Sequence, residues 1–389
     1  MKHVVILGST GSIGKTTLNI ISKDKKNFKI VLLSTNKNTN RIFQQAKKYN
    51  VRHVIITNKR KKKISELKFK KNKIKTYDNF NVFKNVFKKK LDYVISAISG
   101  IDGLLPTISI IKFTKKIAIA NKESIICGWN LINRELKKNK TKFVPVDSEH
   151  FSIYKLIEKE DAKNIKEVII TASGGPFLKK SLNSKKIKIT DALKHPNWKM
   201  GKKITIDSST LVNKVFEIIE AKKIFNLNFD KLKILINPNS YVHAIIIFKN
   251  GTIKILAHET KMDIPIFNSI YDDSSLNFYE KNLIDLNKMN NLNLSIPSTK
   301  KFKTLKILKI IPYKDTLFET ILISVNDELV NMFLNKKLNY EKISFYLMKI
   351  IKFKIFKKYY NIQPKSVKQI FRVRILARDV VQNYVKKYY

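Results

Sequence analysis

The sequence predicts an α/β protein: an N-terminal Rossmann-like, doubly wound parallel sheet, then a central α+β domain and a C-terminal helical domain. Three observations lead to this fold. Short β-rich apolar runs alternate with helical segments over residues 1–120, and a glycine-rich turn follows the first run directly. From about residue 301 only the periodicity of amphipathic helices remains.

The N-terminal elements follow in order from their apolar patterns. Residues 3–7 form the first strand, and spaced apolar residues over 15–22 indicate a helix behind the glycine turn. The further elements of this half are predicted strands at 28–33, 54–56, 93–98 and 117–120, with a helix at 40–49. This order of strands and helices is typical of a parallel sheet with crossover helices.

The pattern of predicted elements changes near residue 143, after which short strands are separated by polar loops. Strands are predicted at 168–171, 234–237 and 244–248, and a clear helix at 210–225. Residues 274–300 are rich in Asn, Ser and Asp and are predicted to form a linker. The predicted domains are therefore 1–146, 147–273, a linker at 274–300, and 301–389.

Composition narrows the class of protein. The chain has 389 residues, 43% of them hydrophobic, which is ordinary for a folded protein. The single cysteine, Cys127, excludes a disulfide framework and a cysteine-based zinc site. No apolar stretch approaches the ~18 residues of a membrane span, and Gly8 interrupts the first run too early for a signal peptide. We expect a cytoplasmic protein with no membrane partner.

The charge balance is strongly basic, with 78 Lys and Arg against 30 Asp and Glu, for a net charge of +48. Only seven of these residues are Arg, the side chain favoured for forked recognition of phosphates and bases. The lysines recur along most of the chain rather than in one arm or stripe. We therefore predict a solvated lysine-rich surface, as A+T-rich coding DNA would produce, and no nucleic-acid partner.

The glycine turn predicts dinucleotide binding. Gly8, Gly11 and Gly14 lie between a strand and a helix, where glycines let the backbone approach a pyrophosphate and the helix N-terminus offers N–H donors. The hydroxyls of Thr10 and Ser12 add further donors. The simpler alternative is an ordinary glycine-rich turn.

The end of the second strand favours NADP over NAD. An NAD site usually carries an acid there for the ribose hydroxyl. Here the stretch 34–38 has no acid and one cation, Lys37, which suits a 2′-phosphate. A generic lysine in a lysine-rich chain is the alternative.

Carboxylates at the end of a short apolar run predict a metal site. Asp147 and Glu149 follow the run 143–146 and, two apart on an extended chain, would project to the same side. Oxygen donors without cysteine suit Mg²⁺ or Mn²⁺. An exposed Asp-x-Glu pair is common without a metal, and this one needs a third ligand, for which Glu217 is the candidate.

The segment 208–217 predicts a phosphate site. Asn213, Lys214 and Glu217 share one face of the predicted helix, and Ser208 or Ser209 would cap its N-terminus. Hydroxyls, an amide and a lysine at a helix N-terminus would bind phosphate. A capped helix with an ordinary Lys–Glu pair is equally consistent with this segment alone.

A third motif, 173–177, exposes backbone donors through Gly174 and Gly175. The polar stretch that follows ends in 195–201, with the composition of a mobile lid whose aromatic Trp198 would cover a substrate. A plain loop is the alternative. The predicted lid spans about 173–202.

Together these segments resemble the 1-deoxy-D-xylulose 5-phosphate reductoisomerase family. The matching stretches occur in the family's order over roughly residues 1–270 and are 6–14 (ILGSTGSIG), 120–124 (ANKES), 145–150 (PVDSEH), 173–177 (SGGPF), 195–201 (HPNWKMG), 207–217, 220–221 and 263–265. The resemblance implies conversion of 1-deoxy-D-xylulose 5-phosphate to 2-C-methyl-D-erythritol 4-phosphate, in isoprenoid precursor synthesis. It also implies NADPH, a divalent cation (Mg²⁺ or Mn²⁺, with Co²⁺ as a further candidate) and a homodimer.

The resemblance also implies roles for individual residues. It makes Asp147, Glu149 and Glu217 the metal ligands, which supplies the third carboxylate, and it counts them with Lys122 and His195 as catalytic. The implied substrate contacts are Ser148, Ser173, His195, Trp198, Ser208, Asn213, Lys214 and Glu217, with Lys122 near the substrate's polar groups and His243 close to the site. The implied NADPH contacts are Thr10, Gly11, Ser12, Ile13, Lys37, Asn38, Asn121, Glu123, Met200, Gly201 and Met262.

Three features depart from the family's pattern. Asn36 stands where the family often has Gly, Asn237 replaces a frequent His, and the segment between His150 and Val168 is shorter than usual. The first two bear on cofactor affinity and on support of the site.

Rival functions stay open at this stage. Another NADP-dependent oxidoreductase of the same plan, such as a semialdehyde or homoserine dehydrogenase-like enzyme, would not need three carboxylates. A basic nucleic-acid-binding protein would leave the placed glycines unexplained. An inactive family member is the third alternative, against which the intact acidic and phosphate-site positions argue.

Overall fold

A computed structural model describes residues 1–179, 187–271 and 285–388. Strands and helices alternate through its first half, and helices dominate its last hundred residues. The strands are β1 (Lys2–Leu7), β2 (Phe28–Thr35), β3 (His53–Ile56), β4 (Lys75–Tyr77), β5 (Leu91–Ser96), β6 (Thr114–Ile119), β7 (Lys142–Pro145), β8 (Ile165–Ala172), β9 (Leu232–Ile236), β10 (Val242–Phe248) and β11 (Ile253–Ala257).

The α-helices are α1 (Ser12–Lys23), α2 (Thr39–Lys48), α3 (Lys59–Lys71), α4 (Phe83–Val86), α5 (Leu104–Ile111), α6 (Lys122–Asn139), α7 (Ser148–Ile157), α8 (Ile189–Ala192), α9 (Lys202–Ser209), α10 (Val212–Phe225), α11 (Asp263–Ile270), α12 (Leu286–Asn290), α13 (Phe318–Leu334), α14 (Tyr340–Ile350), α15 (Lys354–Lys357) and α16 (Val367–Tyr388). Short 3₁₀ turns lie at Phe80–Val82, Ile101–Gly103, Ala162–Asn164, Phe229–Lys231, Lys303–Lys309 and Lys358–Asn361. Within the described ranges, no helix is both long and apolar enough to span a membrane.

The chain divides into two compact units. Within the described residues, the first comprises 1–125, 130–147 and 262–271, and the second comprises 126–129, 148–179, 187–261 and 285–388. The first unit is built on a seven-stranded sheet of order β4-β3-β2-β1-β5-β6-β7, in which every neighbouring pair is parallel. The strand order reverses beside β1, so the C-terminal end of β1 lies at the switch point where open α/β sheets bind ligands.

The core of the first unit forms where the apolar central strands meet the flanking helices. Val4, Ile6 and Ile95 from the sheet pack with Leu18 and Ile21 of α1. Central parallel strands are buried on both faces, which is why they read as nearly continuous apolar runs. The helix α11 returns to this unit, and its Ser269 hydroxyl lies 2.7 Å from the hydroxyl of buried Tyr93.

The second unit contains a four-stranded sheet of order β11-β10-β8-β9. The pair β8–β9 is parallel, whereas β10 runs antiparallel to both β8 and β11. Ile153 of α7 and Ile218 of α10 pack with Val168 and Ile170 on one face of this sheet. The C-terminal helices α13, α14 and α16 pack together in the same unit, and α13 also packs on α9.

The predicted α/β fold is confirmed, with a parallel sheet, a second mixed sheet and C-terminal helices. The predicted linker is not wholly irregular, because α12 lies within it. Its part from 274 to 284 lies outside the described residues, as does the 180–186 part of the predicted lid.

Candidate functional site

The glycine turn joins β1 to α1 closely. Gly8 has a φ of 84°, and a Cβ there would lie 2.5 Å from the carbonyl oxygen of Ala97. A Cβ on Gly14 would lie 2.5 Å from the carbonyl oxygen of Gly8. Gly11 is the N-cap of α1, so the helix begins immediately after the turn. Only glycine at positions 8 and 14 allows this approach, which leaves the helix N-terminus open at the switch point.

Several predicted cofactor residues also serve the local structure around β2. The hydroxyls of Thr10 and Thr35 lie 2.8 Å apart. Asn38 accepts a hydrogen bond from the backbone N–H of Arg41 at 3.2 Å and thereby caps α2. Lys37, two residues after the end of β2, is exposed.

Asn36, the first departure from the family pattern, has a structural partner. Its side-chain amide donates to the hydroxyl of Thr57 at 2.8 Å. The contact ties the loop after β2 to the loop after β3, so the side chain at this position supports the end of the sheet.

The start of α6 gathers three more predicted residues. Asn121 accepts from the backbone N–H of Ser124 at 2.7 Å and donates to the carbonyls of Gly100 and Ile98, so it caps α6 and holds the loop after β5. The next residue, Lys122, lies 3.0 Å from the Asp147 carboxylate. Glu123, half-buried, follows in the first helical turn.

The remaining predicted cofactor contacts are spread over both units. Ile13 and Met262 are partly buried and pack on the core of the first unit. In the second unit Gly201 is the N-cap of α9, and Met200 before it is half-buried. Ser12 opens α1 as its first residue.

The second unit brings two carboxylates onto one lysine. Lys214 Nζ lies 2.8 Å from Glu149 Oε1 and also contacts Glu217 Oε2, one helical turn further along α10. Asn213 donates to the other oxygen of Glu217. Burial alone would lower the pKa of Lys214, but the carboxylates of Glu149 and Glu217 outweigh it and raise that pKa. The positively charged ammonium of Lys214 therefore lies between the two carboxylates, in the place that a metal cation would take.

The predicted helix face is confirmed, because Asn213 and Lys214 both reach Glu217. The extended geometry predicted for Asp147 and Glu149 is wrong. The helix α7 begins at Ser148, so Glu149 lies in a first helical turn and the alternation of a strand does not apply. Ser148 donates its hydroxyl to the Glu149 carboxylate at 2.5 Å, which helps to fix that side chain.

Two residues that sequence reasoning did not assign support this cluster. The buried ring of His150 makes a hydrogen bond from Nε2 to the carbonyl oxygen of Glu217 at 2.9 Å. Its Nδ1 lies 3.5 Å from the carboxylate of buried Glu220. His150 thus ties α7 to α10 and holds Glu149 and Glu217 in register. His150 and Glu220 both lie in stretches that match the family, which was the available signal, but only the fold shows that they are in contact.

The predicted phosphate residues converge on His195. Its Nε2 lies 2.9 Å from the hydroxyl of Ser173 and 3.1 Å from that of Ser208. Its Nδ1 accepts from the backbone N–H groups of Asn197 at 3.2 Å and Trp198 at 2.9 Å. Because Nδ1 is an acceptor, the ring carries its proton on Nε2, facing the two hydroxyls.

Burial, together with the nearby charge of Lys214, lowers the pKa of His195 to about 4. The ring is therefore neutral at physiological pH. The cradle formed by Ser173, His195 and Ser208 offers hydroxyl and N–H donors, and Lys214 supplies the full positive charge close by.

The predicted capping by Ser208 or Ser209 is wrong. Both serines belong to the last turn of α9, and α10 begins at Val212 after Leu211, whose φ is 57°. The break between the helices turns Ser208 towards His195 instead of placing it at the N-terminus of α10. Proximity along the chain suggested a cap, whereas the left-handed residue at 211 separates the two helices.

Trp198 packs at the edge of a pair of stacked histidine rings. Its indole meets His243 edge-on at 6.0 Å, and His243 stacks on His258 at 3.8 Å. The loop is anchored by Asn197, whose amide donates to the carbonyl of Pro238 at 2.6 Å and to the hydroxyl of Ser240 at 2.8 Å.

The second departure, Asn237, is a structural residue next to this loop. It is fully buried and accepts from the backbone N–H of Val242 at 3.2 Å while donating to the carbonyl of Leu292. An amide at this position satisfies both groups and so supports the start of β10.

Comparison with known proteins matches the chain to one family along most of its length. Three domain models match: 1-deoxy-D-xylulose 5-phosphate reductoisomerase over residues 4–128, its C-terminal domain over 143–225, and the DXP reductoisomerase C-terminal domain over 258–380. The 1-deoxy-D-xylulose 5-phosphate reductoisomerase of Pelagibacter ubique is 53% identical over 95% of this chain and 96% of its own length. That of Clostridium novyi is 36% identical over 98% and 99%.

Solved structures agree. A DOX-P reductoisomerase in complex with NADPH, fosmidomycin and magnesium is 26% identical and superposes with a TM-score of 0.91, covering 99% of this chain and 98% of the other. The Zymomonas mobilis 1-deoxy-D-xylulose 5-phosphate reductoisomerase with NADPH is 26% identical, with a TM-score of 0.86 and 99% of each chain covered. The chain therefore belongs to the 1-deoxy-D-xylulose 5-phosphate reductoisomerase family.

Proposed function

We propose that this chain carries out the reaction of its family, the NADPH- and divalent-metal-dependent conversion of 1-deoxy-D-xylulose 5-phosphate to 2-C-methyl-D-erythritol 4-phosphate. The product feeds the synthesis of isoprenoid precursors. The observation that carries the proposal is the convergence of Glu149 and Glu217 on Lys214 beside the cradle of Ser173, His195 and Ser208. One unit thus offers a cation site and a phosphate site next to each other.

Asp147, Glu149 and Glu217 are the proposed ligands of Mg²⁺ or Mn²⁺, with Co²⁺ as a further candidate. The donor set fits, because three carboxylates offer the hard oxygen ligands these ions prefer. The pair Glu149 and Glu217 already accepts a cation, the ammonium of Lys214. When bound, the metal supplies Lewis-acid polarisation of the substrate carbonyl and NADPH supplies the hydride.

The phosphate of the substrate is proposed to bind at Ser173, Ser208, Asn213 and Lys214, with His195 donating from Nε2. A neutral imidazole suits this role, because it donates a hydrogen bond without competing with Lys214 for the carboxylates. Binding the remote phosphate holds the substrate while its carbon skeleton rearranges, which lowers the entropic cost of orientation.

The substrate's polar groups are assigned to Lys122 and Ser148, which the structure holds against Asp147 and Glu149 respectively. Trp198 is proposed to cover the substrate and to exclude water from the intermediate aldehyde. Its backbone N–H donates to His195 and so connects Trp198 to the phosphate cradle.

The proposed NADPH contacts lie first on the glycine turn. Thr10, Gly11, Ser12 and Ile13 surround the N-terminus of α1, where the pyrophosphate would be held by backbone N–H groups. Exposed Lys37 is proposed to meet the 2′-phosphate. The remaining proposed contacts are Asn38, Asn121, Glu123, Met200, Gly201 and Met262.

A homodimeric assembly and a cytoplasmic location complete the proposal, together with a division of the sequence at residues 146, 273 and 300 that differs from the two compact units described above, where 262–271 belongs to the first unit and 285–388 to the second. They are supported by the sequence pattern and by the family. A single small phosphorylated substrate is the proposed partner besides the cofactors.

The metal assignment is tested by Mn²⁺ binding, followed by electron paramagnetic resonance. Glu149→Gln and Glu217→Gln should each weaken Mn²⁺ binding at least tenfold, since each removes a charged ligand. Glu158→Gln, which removes an exposed carboxylate paired with Lys155, is the matched control and should leave binding unchanged. Equal binding in all three variants would remove these glutamates from the metal site.

A further inference from the structure

The end of α9, which carries Ser208, is hydrogen-bonded to the C-terminal helical region. Three consecutive attachments flank the serine. Asn326 of α13 donates to the carboxylate of Asp207 at 2.7 Å, and the hydroxyl of Tyr340 of α14 lies 2.9 Å from that of Ser209. Thr304 donates its hydroxyl to the carbonyl oxygen of Thr210 at 2.5 Å. Residues 207, 209 and 210 are thus tied to three different C-terminal elements.

These hydrogen bonds are buried, so breaking any one of them would be energetically costly. Asp207 is 1% exposed, Asn326 and Thr304 are 0% exposed, and Tyr340 is 5% exposed. A buried polar group without its partner loses hydration and gains nothing in return, so each pair is kept together strongly. The positions of residues 207, 209 and 210 are therefore set by the C-terminal region.

The negative charge of Asp207 is neutralised by a lysine within this network. Lys203 Nζ, one helical turn earlier in α9, lies 2.9 Å from the Asp207 carboxylate and 3.0 Å from that of Asp327. Asp327 directly follows Asn326 on α13. Both side chains of this Asn–Asp pair thus act on α9, one by a hydrogen bond and one through Lys203.

Ser208 faces the opposite way. Its hydroxyl reaches His195, which also meets Ser173. On that side Gly175 presses against the same backbone: a Cβ there would lie 2.9 Å from the carbonyl oxygen of Ser208. The serine is held between a glycine loop in front and the C-terminal helices behind.

We propose that Asn326, Tyr340 and Thr304 are positioning residues for phosphate binding through Ser208. The C-terminal helical region then has a part in substrate recognition without touching the substrate. The inference rests on the proposed role of Ser208 in binding the substrate's phosphate. It extends that role to residues for which the sequence offered no site signal.

Tyr340→Phe is the sharpest test, because it removes one hydroxyl and keeps the ring that packs edge-on against Phe177 at 5.1 Å. Tyr360→Phe is the matched control: it also removes a hydroxyl bond in the C-terminal region, to the carbonyl of Ile351, and its ring packs on Phe318. Calorimetric titration with inorganic phosphate gives the dissociation constant of the cradle. Melting curves show how far each variant is destabilised.

We expect Tyr340→Phe to weaken phosphate binding about fivefold, the effect of one buried hydrogen bond. The KM for the phosphorylated substrate should rise by the same factor, with the KM for NADPH unchanged. Tyr360→Phe should leave phosphate binding as it is. Thr304→Val, which keeps the shape of the side chain, is the second variant and should reproduce the result.

A double variant separates positioning from general stability. If Tyr340 acts through Ser208, Tyr340→Phe should have no further effect on phosphate binding once Ser208→Ala is in place. Additive effects would overturn the inference, as would a Tyr340→Phe variant that melts earlier but binds phosphate within twofold of the unaltered chain. Failure of the unaltered chain to bind phosphate would instead overturn the cradle itself, and the inference with it.

Discussion

Lys214 holds two carboxylates together, and its removal should destabilise the protein in a way that a divalent cation reverses. The side chain is 4% exposed and lies 2.8 Å from Glu149, while Glu217 is 2% exposed. Removing one member of a buried ion pair costs about 3–5 kcal/mol. Lys214→Met should therefore cost about 3 kcal/mol, which for a chain of 389 residues corresponds to a fall of about 4 °C in melting temperature.

The assay is thermal unfolding in buffer with EDTA and again with Mg²⁺. Mg²⁺ should raise the melting temperature of Lys214→Met more than that of the unaltered chain, because the cation takes over the neutralisation of Glu149 and Glu217. Lys233→Met, which removes an exposed lysine of β9, is the matched control and should change stability by less than about 0.5 kcal/mol. A loss no larger than the control's, or one that Mg²⁺ does not reverse, would refute the reasoning.

Gly14→Ala should abolish tight NADPH binding and lower the stability of the protein, because its Cβ would lie 2.5 Å from the carbonyl oxygen of Gly8. The Cβ of Gly11→Ala would lie 3.4 Å from the same atom, so this variant should fold normally and weaken NADPH binding alone. Fluorescence titration with NADPH measures both effects on binding. Nitrogen NMR of His195 should find a neutral ring protonated on Nε2 at pH 7, and a cationic ring at pH 6 would contradict this. Because the pKa of His195 falls from 6.5 to about 4 on folding, its contribution to stability is full above pH 6.5 and is lost as the pH falls towards 4; His195→Gln should flatten that part of the pH–melting curve. Lys37→Gln should raise the KM for NADPH and leave that for NADH unchanged, and equal effects on both would exclude a contact with the 2′-phosphate.

The parallel sheet could be predicted from the sequence because its signals are local. The apolar run before Gly8 and the spacing of Gly8, Gly11 and Gly14 describe a strand, a turn and a helix without any distant contact. The same holds for Asn213, Lys214 and Glu217, which share a helix face by spacing alone, and the structure brings them together.

Two predictions that depended on the position of a helix end were wrong. Whether Glu149 is extended or helical depends on where α7 begins, and apolar periodicity places such ends poorly. Ser208 was assigned to the cap of the following helix because the left-handed conformation of Leu211 leaves no mark in the sequence. In both cases the side chain makes its contact, to Lys214 or to His195, with a residue outside its own segment of the sequence.

The contacts between α9 and the C-terminal helices could not be predicted from the sequence. Asn326 and Tyr340 lie on helices that carry no motif, more than a hundred residues after the segment that they hold. Their partners are buried polar groups whose pairing only the fold creates. The net charge of +48 likewise carried little information, since of its many lysines we assign functional roles to Lys37, Lys122 and Lys214.

The central claim is that this chain reduces a phosphorylated deoxyxylulose with NADPH in a metal-dependent reaction. The direct measurement is NADPH oxidation by the purified protein with 1-deoxy-D-xylulose 5-phosphate, with Mn²⁺ or Mg²⁺ and then with EDTA. We predict turnover with either metal, its loss in EDTA, and its recovery when the metal is restored. Absence of NADPH oxidation with both metals, or turnover that persists unchanged in EDTA, would contradict the account.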